Sequence, residues 1–354
     1  MSLVGINALG IKINVTDLSE AEKSIFSDHW KSCVSQPHDS PDITISREPI
    51  SWLTAYEHLT QQVTRRAIEA NLGKLMMFHA AGLQFSNSDD VIGFVAPSGT
   101  GKSTLTATLG KHMVYVSDEV VAIDQNLSVF SLQKPVSLIG RNEESFKGHL
   151  GPEHLELLTD LSSTPRLAAL VVLNRVTEKQ KPSLAQMPLE NAVLDLVPQM
   201  SGLGLLPEGL DKLCQLINKL GGVFEMTYSD AADVTPEYLA ETTSELRGSA
   251  PLVWKHIPKN QPNKSTHDFR IAQSSYFDAI EINGHVLVLD RGQVRMLGEL
   301  ASAIWLLLPT TNSSAELLET LEAKFGSHEN SEQILNHVLE DLKLQQLIEL
   351  VPSE

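Results

Sequence analysis

The short run Gly-Thr-Gly-Lys-Ser at residues 99–103 constrains the fold of this 354-residue chain more than any other feature. It belongs to the segment 96–103, Ala-Pro-Ser-Gly-Thr-Gly-Lys-Ser, which follows an apolar, strand-like segment at 91–95. Glycines let a backbone wrap an anion with its N–H groups pointing inward, and a helix that begins at the same place adds a favourable dipole. We therefore predict a strand, a phosphate-binding loop of the Walker A type and a helix over 102–110, as in an α/β domain.

Two side chains of this loop complete a predicted site for a nucleoside triphosphate. Lys102 is placed to neutralise the β- and γ-phosphates, and Ser103 is placed to hold Mg²⁺. Ala96 stands where the strict motif has glycine, and alanine fits there if its φ stays negative. The cofactors that we predict are therefore ATP and Mg²⁺. The predicted nucleotide-binding residues are Pro97, Ser98, Gly99, Thr100, Gly101, Lys102, Ser103 and Thr104.

The charge and the cysteine content narrow the partners and the compartment. With 44 acidic and 27 basic residues, the formal net charge is −17. A field of that sign repels nucleic acids and anionic membranes, so we expect neither as a partner. No apolar run reaches the roughly 18 residues that span a bilayer. The start of the chain lacks signal-peptide features and only Cys33 and Cys214 occur, so we expect a cytoplasmic protein without disulfides or zinc.

Two adjacent acids, Asp118 and Glu119, follow a predicted buried strand at 113–116. Two adjacent carboxylates directly after a buried strand require a structural or functional explanation, because burying a charge without a partner is costly. One of them can bind Mg²⁺, directly or through water, while the other accepts a proton from an attacking hydroxyl group. The alternative is an exposed turn with two solvated carboxylates.

Three further side chains are candidates for the same site. His79 lies in a largely apolar strand, where it either faces a polar cleft or is a hydrogen-bonded core histidine. Lys134 and Arg141 lie where the chain leaves a strand and enters a loop. They either contact transferred phosphate or substrate, or they belong to an ordinary surface connection.

A change in composition at residues 251–267 predicts two domains. This stretch contains three prolines and three lysines but no acidic residue, which is typical of a linker. The first domain, 1–250, alternates predicted strands and helices. The second, 268–354, has three short strands, with an Asn-Gly hairpin turn at 283–284, and then three helices in a winged-helix-like order. Its 14 acidic and 5 basic residues, a net of −9, disfavour DNA reading.

Hydrophobic periodicity and turn residues predict the individual elements. In the first domain we predict helices at 19–34, 52–72, 102–110 and 207–220. Strands are predicted there at 11–15, 42–46, 74–85, 91–96, 113–116, 120–124, 128–132, 167–173 and 223–228. In the second domain we predict strands at 279–282, 285–289 and 293–297 and helices at 299–308, 313–325 and 331–347.

Four motifs together resemble the catalytic domain of HPr kinase/phosphorylase and its relatives, over residues 1–250. They are His79-Ala80-Ala81-Gly82, the phosphate-binding loop, Ser117-Asp118-Glu119 and Lys134-Pro135. The resemblance implies a phosphoenolpyruvate-carboxykinase-like fold with a mixed sheet, and phosphorylation of serine hydroxyls in proteins, peptides or small molecules. It implies Asp118 as the general base, Glu119 on Mg²⁺ where relatives have a second aspartate, and His79 beside the transferred phosphate. The family's Glu-Ile-Arg-Gly-Leu-Gly stretch has no counterpart, so the chain resembles a divergent kinase of this type rather than HPr kinase itself.

Residues 268–354 resemble the PqqD family, from Tyr-Phe-Asp-Ala-Ile at 276–280 through Leu-Ala-Ser-Ala-Ile-Trp at 300–305 to the last helix. Members of this family capture leader peptides of ribosomally made, modified peptides. The resemblance implies that a peptide adds as a strand beside the three-stranded sheet, and 293–297 is the edge that we expect it to use. The alternative is a small stabilising or dimerising cap. Trp305 is expected in the core.

We therefore predict an ATP- and Mg²⁺-dependent kinase that acts on a hydroxyl, foremost a serine, of a peptide or protein. The predicted site residues are Asp118, His79 and Lys102 for catalysis, Ser103 and Glu119 for Mg²⁺, and Lys134 and Arg141 for substrate or phosphate contacts. Two alternatives stay open: a nucleotide-gated peptide-binding protein without phosphate transfer, and a small-molecule hydroxyl kinase. The sequence leaves open the acceptor and the oligomeric state, a homo-oligomer included.

Overall fold

The computed structural model describes residues 2–97, 99–137, 149–248, 250–259, 269–311 and 313–352. The chain divides into two units, Met1–Leu206 with Leu216–Pro251, and Pro207–Gln215 with Leu252–Glu354. The described residues form an α/β protein with two mixed sheets and further antiparallel ones, which confirms the predicted class. No described helix combines the length and the apolar character needed to cross a membrane.

Most elements precede residue 251. The strands there are β1 (Ser2–Ala8), β2 (Ile11–Leu18), β3 (Val34–Ser35), β4 (Ile43–Ser46), β5 (Met76–Phe78), β6 (Ala80–Gln84), β7 (Asp90–Val95), β8 (Val114–Ser117), β9 (Val121–Ile123), β10 (Val129–Phe130), β11 (Val136–Ser137), β12 (His149–Leu150), β13 (Arg166–Arg175), β14 (Ser183–Gln186), β15 (Met200–Ser201) and β16 (Phe224–Tyr228). The helices are α1 (Glu20–His29), α2 (Trp52–Asn71), α3 (Lys102–Leu109), α4 (Leu189–Leu196), α5 (Gly209–Leu220) and α6 (Pro236–Leu246).

The N-terminal strands form a four-stranded sheet in the order β3-β1-β2-β4, which helices α1 and α2 contact. Helix α1 begins with a capping box, in which Ser19 and Glu22 each bond the other's backbone N–H. The predicted helix 19–34 is too long, because α1 ends at His29 and the next residues form a tight turn. Fully buried aromatic side chains fill this layer: Phe26, Trp30 and Tyr56.

A second sheet of four short strands has the order β10-β9-β5-β15 and is antiparallel throughout. Its formation divides the predicted strand 74–85 into β5 and β6, with His79 between them. Because β5 belongs to this sheet and β6 to the next one, His79 lies where the chain passes from one sheet to the other. That position frees the backbone groups of His79 for contacts outside either ladder.

The central sheet has six strands in the order β14-β16-β13-β7-β6-β8 and is mixed. Strands β7, β13 and β16 are parallel to one another, whereas β6 is antiparallel to both β7 and β8. The carboxyl ends of β7, β8, β13 and β16 therefore meet the amino end of β6 at one edge of the sheet. The phosphate-binding loop, the acidic pair and His79 all lie at this edge.

Helix α3 packs on the core of the central sheet through Leu105 and Leu109, which are four residues apart and buried. Gly82 of β6 lies where the neighbouring strands come close. A Cβ atom on it would lie 2.9 Å from Cγ2 of Val121 and 3.2 Å from Cβ of Val116. The glycine of the His-Ala-Ala-Gly motif is thus explained by packing.

The remaining elements follow residue 251. They are strands β17 (Lys255–His256), β18 (Phe269–Gln273), β19 (Asp278–Ile282), β20 (His285–Asp290), β21 (Gln293–Met296) and β22 (Ile348–Pro352), and helices α7 (Glu299–Leu307), α8 (Ser314–Phe325) and α9 (Ser331–Leu344). One sheet has the order β17-β19-β20-β21, and β18 pairs with β22. Trp305 is fully buried in the core of this unit, as predicted.

The three predicted strands and three predicted helices of this region are confirmed. Asn283 and Gly284 both have positive φ, 51° and 82°, as the two-residue turn of the β19–β20 hairpin requires. Within the predicted linker 251–267, Lys255 and His256 form β17, and residues 260–267 lie outside the described residues. The domain bounds 1–250 and 268–354 stay a prediction.

Candidate functional site

The glycine-rich loop that we predict to bind phosphate connects β7 to α3, a strand and a helix at the predicted positions. Gly99 and Gly101 have positive φ values of 86° and 95°, a conformation that side chains other than glycine's disfavour. Thr100 braces the turn, since its hydroxyl donates to the carbonyl of Pro97 at 2.8 Å. Ala96 is buried and is not among the residues with positive φ, so an alanine fits there. Ser98 lies outside the described residues.

Lys102 is the first residue of α3 and is buried, with 8% of its surface exposed. Its ammonium group donates to the carbonyl oxygens of His79 at 3.2 Å and of Ala96 at 3.4 Å. Burial lowers the pKa of Lys102 to about 8, although Asp118 and Glu119 act in the opposite direction. Within the described ranges it has no carboxylate within ion-pair distance. The loop thus holds a cation whose ligands are only carbonyl oxygens.

Ser103 and Thr104 follow Lys102 in the first turn of α3, and both are exposed. The hydroxyl of Ser103 therefore lies at the positive end of the helix, next to the loop. An exposed hydroxyl here is compatible with a ligand of Mg²⁺, which prefers oxygen donors. The backbone carbonyl of Thr104 accepts a hydrogen bond from Thr108 within the helix.

The acidic pair lies in a turn directly after β8. The hydroxyl oxygen of Ser117 accepts hydrogen bonds from the backbone N–H groups of Glu119 at 3.1 Å and of Val120 at 3.0 Å. This turn buries Asp118, which is 8% exposed, while the Glu119 side chain remains 38% exposed. The open alternative of two solvated carboxylates therefore does not describe Asp118.

Two buried side chains hold the acidic pair in place. The Tyr115 hydroxyl, on the strand that leads into the turn, donates to Oδ1 of Asp118 at 2.8 Å. The ammonium group of Lys134 lies 3.3 Å from the same oxygen and 3.0 Å from Oε2 of Glu119. Burial of Lys134 opposes its charge, but the two carboxylates outweigh that effect and raise the pKa of the ammonium group. Lys134 was predicted to contact phosphate or substrate; the structure places it between the acids.

His79 lies between the loop and the acidic turn. Its backbone carbonyl accepts from Lys102, and its backbone N–H donates to the carbonyl of Gln199 at 2.6 Å. Burial and the charge of Lys102 lower the pKa of the imidazole, against the opposing effects of Glu119 and Asp118. The imidazole is thus neutral at neutral pH.

The edge of the central sheet therefore brings together a glycine-rich loop, a lysine ammonium and two carboxylates held by a second lysine. Such an arrangement can bind a polyphosphate and accept a proton close to it. The predicted residues that the structure brings together here are His79, Lys102, Asp118, Glu119 and Lys134. Arg141 lies outside the described residues.

Three residues of this region were not predicted from the sequence. Tyr115 is fully buried, and the signal for it was a single tyrosine in an otherwise aliphatic strand, three residues before Asp118. Arg175 and Tyr228 are the last residues of β13 and β16, and both lie against Gly101. Their proximity depends on the strand order, which no local pattern contains.

Across the described ranges, no group of three or more His, Cys, Asp or Glu side chains is arranged to bind a metal ion. Mg²⁺ in nucleotide sites is held by one or two protein oxygens, with waters and phosphates supplying the rest. Ser103 and Glu119 fit that requirement by their chemistry. A cavity of about 660 Å³ lies in the first unit, but none of the predicted site residues that the structure describes lines it.

Comparison of the chain with models of known protein families gives no match. Comparison with curated proteins gives none either. The resemblance of individual motifs to two families thus stays a prediction, and a proposal of function has to rest on the geometry of the site.

Proposed function

We propose that this protein is an ATP- and Mg²⁺-dependent kinase that transfers the γ-phosphate to a serine hydroxyl of a peptide or protein. The observation that carries the proposal is the arrangement at one sheet edge of a glycine-rich loop with Lys102 and a buried, immobilised carboxylate, Asp118. A loop alone supports nucleotide binding. A loop beside a fixed proton acceptor supports transfer to a hydroxyl.

The loop and Lys102 bind and orient the triphosphate in this mechanism. The backbone N–H groups at the start of α3 face the anion, and the Lys102 ammonium exchanges its carbonyl ligands for phosphate oxygens. Phosphoryl transfer needs mainly positioning and charge stabilisation, which these groups supply. Mg²⁺, held by Ser103 and Glu119, would neutralise charge on the phosphates.

Asp118 acts as the general base. Its carboxylate takes the proton of the attacking serine hydroxyl, the serine oxygen bonds to the γ-phosphorus, and the oxygen that bridges the β- and γ-phosphates leaves with ADP. Tyr115 and Lys134 hold the carboxylate in one orientation for that step. His79, neutral and half-buried beside Lys102, lies next to the transferred phosphate.

The second unit captures the peptide in this proposal. Strand β21 ends the order of its sheet, so one row of its backbone groups has no ladder partner within the described part of the chain. A peptide strand can add there through main-chain hydrogen bonds, as in the PqqD-like domains that this region resembles. In the same proposal the first unit is an HPr-kinase-like P-loop domain. Cys33 and Cys214 are both free and buried, which supports a cytoplasmic location.

The Asp118→Asn variant tests the proposal. Full-length protein, radiolabelled ATP, Mg²⁺ and a library of serine-containing peptides should show phosphate transfer by the parent and a loss of at least about a hundredfold in the variant. ATP affinity, measured by calorimetry, should stay close to that of the parent. Asp90→Asn, an exposed acid at the opposite end of β7, is the matched control and should transfer phosphate normally. Equal transfer by Asp118→Asn and the parent would exclude Asp118 as the base.

One observation favours a second function, a nucleotide-gated peptide-binding protein without phosphate transfer. Oδ1 of Asp118 is engaged by both the Tyr115 hydroxyl and the Lys134 ammonium, which together occupy the oxygen that would have to accept the proton of an attacking hydroxyl. In that case the parent binds ATP but leaves its γ-phosphate in place with every peptide of the library. The same assay therefore distinguishes the two functions.

A further inference from the structure

Two strand ends face the phosphate-binding loop from the side opposite β6. Arg175 ends β13 and Tyr228 ends β16, and these residues pair with each other in the parallel ladder. A Cβ atom placed on Gly101 would lie 3.2 Å from Cδ and 3.4 Å from Nη1 of Arg175, and 3.3 Å from the hydroxyl oxygen of Tyr228. Both polar groups thus lie directly against the loop.

The hydroxyl of Tyr228 is buried next to the loop without a hydrogen-bond partner among the described residues. The residue is 1% exposed, and its oxygen forms no hydrogen bond with any described residue. Burial raises the pKa of this phenol, although Arg175 opposes the shift, so the group remains a donor at neutral pH. Burying a hydroxyl without a partner destabilises a protein, so such a group next to an anion-binding loop points to a ligand that supplies the acceptor.

Arg175 is exposed, and only a long hydrogen bond of 3.4 Å from its Nε to the carbonyl of Ser229 is seen. Within the described residues no carboxylate lies within ion-pair distance of it. In a chain of net charge −17, an arginine without an acidic partner beside an anion site is informative. Guanidinium groups bind phosphate oxygens in a planar, often bidentate geometry.

We propose that Arg175 and Tyr228 form a second wall of the nucleotide site and donate hydrogen bonds to the phosphate chain from the side of Gly101. The lack of a side chain at Gly101 leaves the space through which both groups reach the bound anion. This inference rests on the proposed function, because it assumes that the loop binds ATP.

The two ends of β13 provide a matched pair of variants. Arg175→Gln removes the guanidinium at the loop edge, and Arg166→Gln removes one at the opposite end of the same strand. Calorimetry of the full-length protein with Mg²⁺ and either ATP or inorganic tripolyphosphate should show affinities about tenfold weaker for Arg175→Gln with both probes. Arg166→Gln should bind ATP and tripolyphosphate with the affinities of the parent. Raised salt should reduce the difference in affinity between the parent and Arg175→Gln.

Tyr228→Phe tests the phenol separately, and its control is Tyr238→Phe, at a partly buried tyrosine that packs against the same core cluster. The variant should bind ATP about fivefold more weakly. Without ligand its midpoint of thermal unfolding should equal or exceed that of the parent, because the hydroxyl that it removes has no partner. A Tyr228→Phe protein that is destabilised without ligand but binds ATP normally would show a structural role and overturn the inference for this residue.

The outcomes separate this inference from the proposed function. If the parent binds ATP and Arg175→Gln matches it, the second wall is wrong while the kinase proposal stands. A loss confined to ATP, with tripolyphosphate unaffected, would place Arg175 on the base or ribose and also overturn the inference. If the parent binds neither probe, the loop assignment itself fails.

Discussion

The phosphate-binding loop and the acidic turn lie at the same edge of the central sheet, but they are held in place by different means. The loop depends on backbone conformation, with positive φ at Gly99 and Gly101, and among the described residues the ammonium of Lys102 bonds only carbonyl oxygens. The acidic turn depends on buried side chains: Tyr115 donates a hydrogen bond to Asp118, and Lys134 supplies its counter-charge. We therefore expect the loop to tolerate substitutions of neighbouring side chains, whereas the acidic turn should be destabilised when one member of its ion pairs is replaced.

The largest effect is expected from Lys134→Met, which should break the acidic half. It leaves Asp118 buried without its counter-charge, so the free energy of unfolding should fall by about 3–5 kcal/mol in a urea titration. Adding Asp118→Asn should restore most of this loss, because the uncompensated charge is then removed. Lys111→Met, which breaks the exposed pair with Glu156, is the control and should change stability little. A similar small loss for Lys134→Met would mean that the acidic turn is not held by its ion pairs.

A smaller effect on stability is expected in the loop. Alanine substitutions there distinguish the cost of a positive φ from the cost of a steric clash of the added Cβ atom. Gly99 and Gly101 both have positive φ, but a Cβ at Gly99 meets no atom within 4 Å, whereas one at Gly101 meets Arg175 and Tyr228. Gly99→Ala should lower the free energy of unfolding by about 1 kcal/mol and Gly101→Ala by about 2–3 kcal/mol. Equal losses in thermal or urea unfolding would show that only the backbone conformation matters at Gly101.

The smallest effect is a pH dependence of ATP binding. The pKa of Lys102 is about 8 in the free protein, and bound phosphate should raise it. Below pH 7 the ammonium is already charged. Above pH 8 binding must take up a proton, so the affinity should fall, by at most about tenfold per pH unit. Calorimetry at pH 8.5 in buffers of different ionisation enthalpy measures that uptake, and Lys102→Arg should abolish it. If the affinity for ATP does not change between pH 7 and 9.5, the lowered pKa of Lys102 is contradicted.

The same contrast explains how much of the site could be predicted from the sequence. The loop could be located because its motif consists of consecutive residues, and the structure has β7 and α3 where the motif requires a strand and a helix. The position of Asp118 and Glu119 after β8 could also be predicted from the neighbouring residues. The role of Lys134 was not, because its partners are about fifteen residues away and only the tertiary fold brings them to it.

Some elements were missed although a local signal existed. Helix α6 was not predicted, yet Thr235 caps it and Pro236 occupies its first position, a known start signal. Strand β1 was missed because its hydrophobic pattern is weak on its own. It is recognised only from its antiparallel pairing with β2, which follows a turn at Leu9 and Gly10. Arg175 and Tyr228 needed the order of the six strands, and this order is a property of the whole domain.

The segment His79-Ala80 links the two halves of the site. The carbonyl of His79 accepts from Lys102 of the loop, and the N–H of Ala80 donates to the carbonyl of Glu119 in the acidic turn at 3.1 Å. These two groups belong to the single peptide unit between His79 and Ala80, which therefore connects the loop directly to the acidic turn. Replacement of the His79 imidazole by another ring can probe proton transfer. A proline or a deletion at His79-Ala80 would instead disturb Lys102 and the acidic turn together, because it removes the backbone groups that bind both.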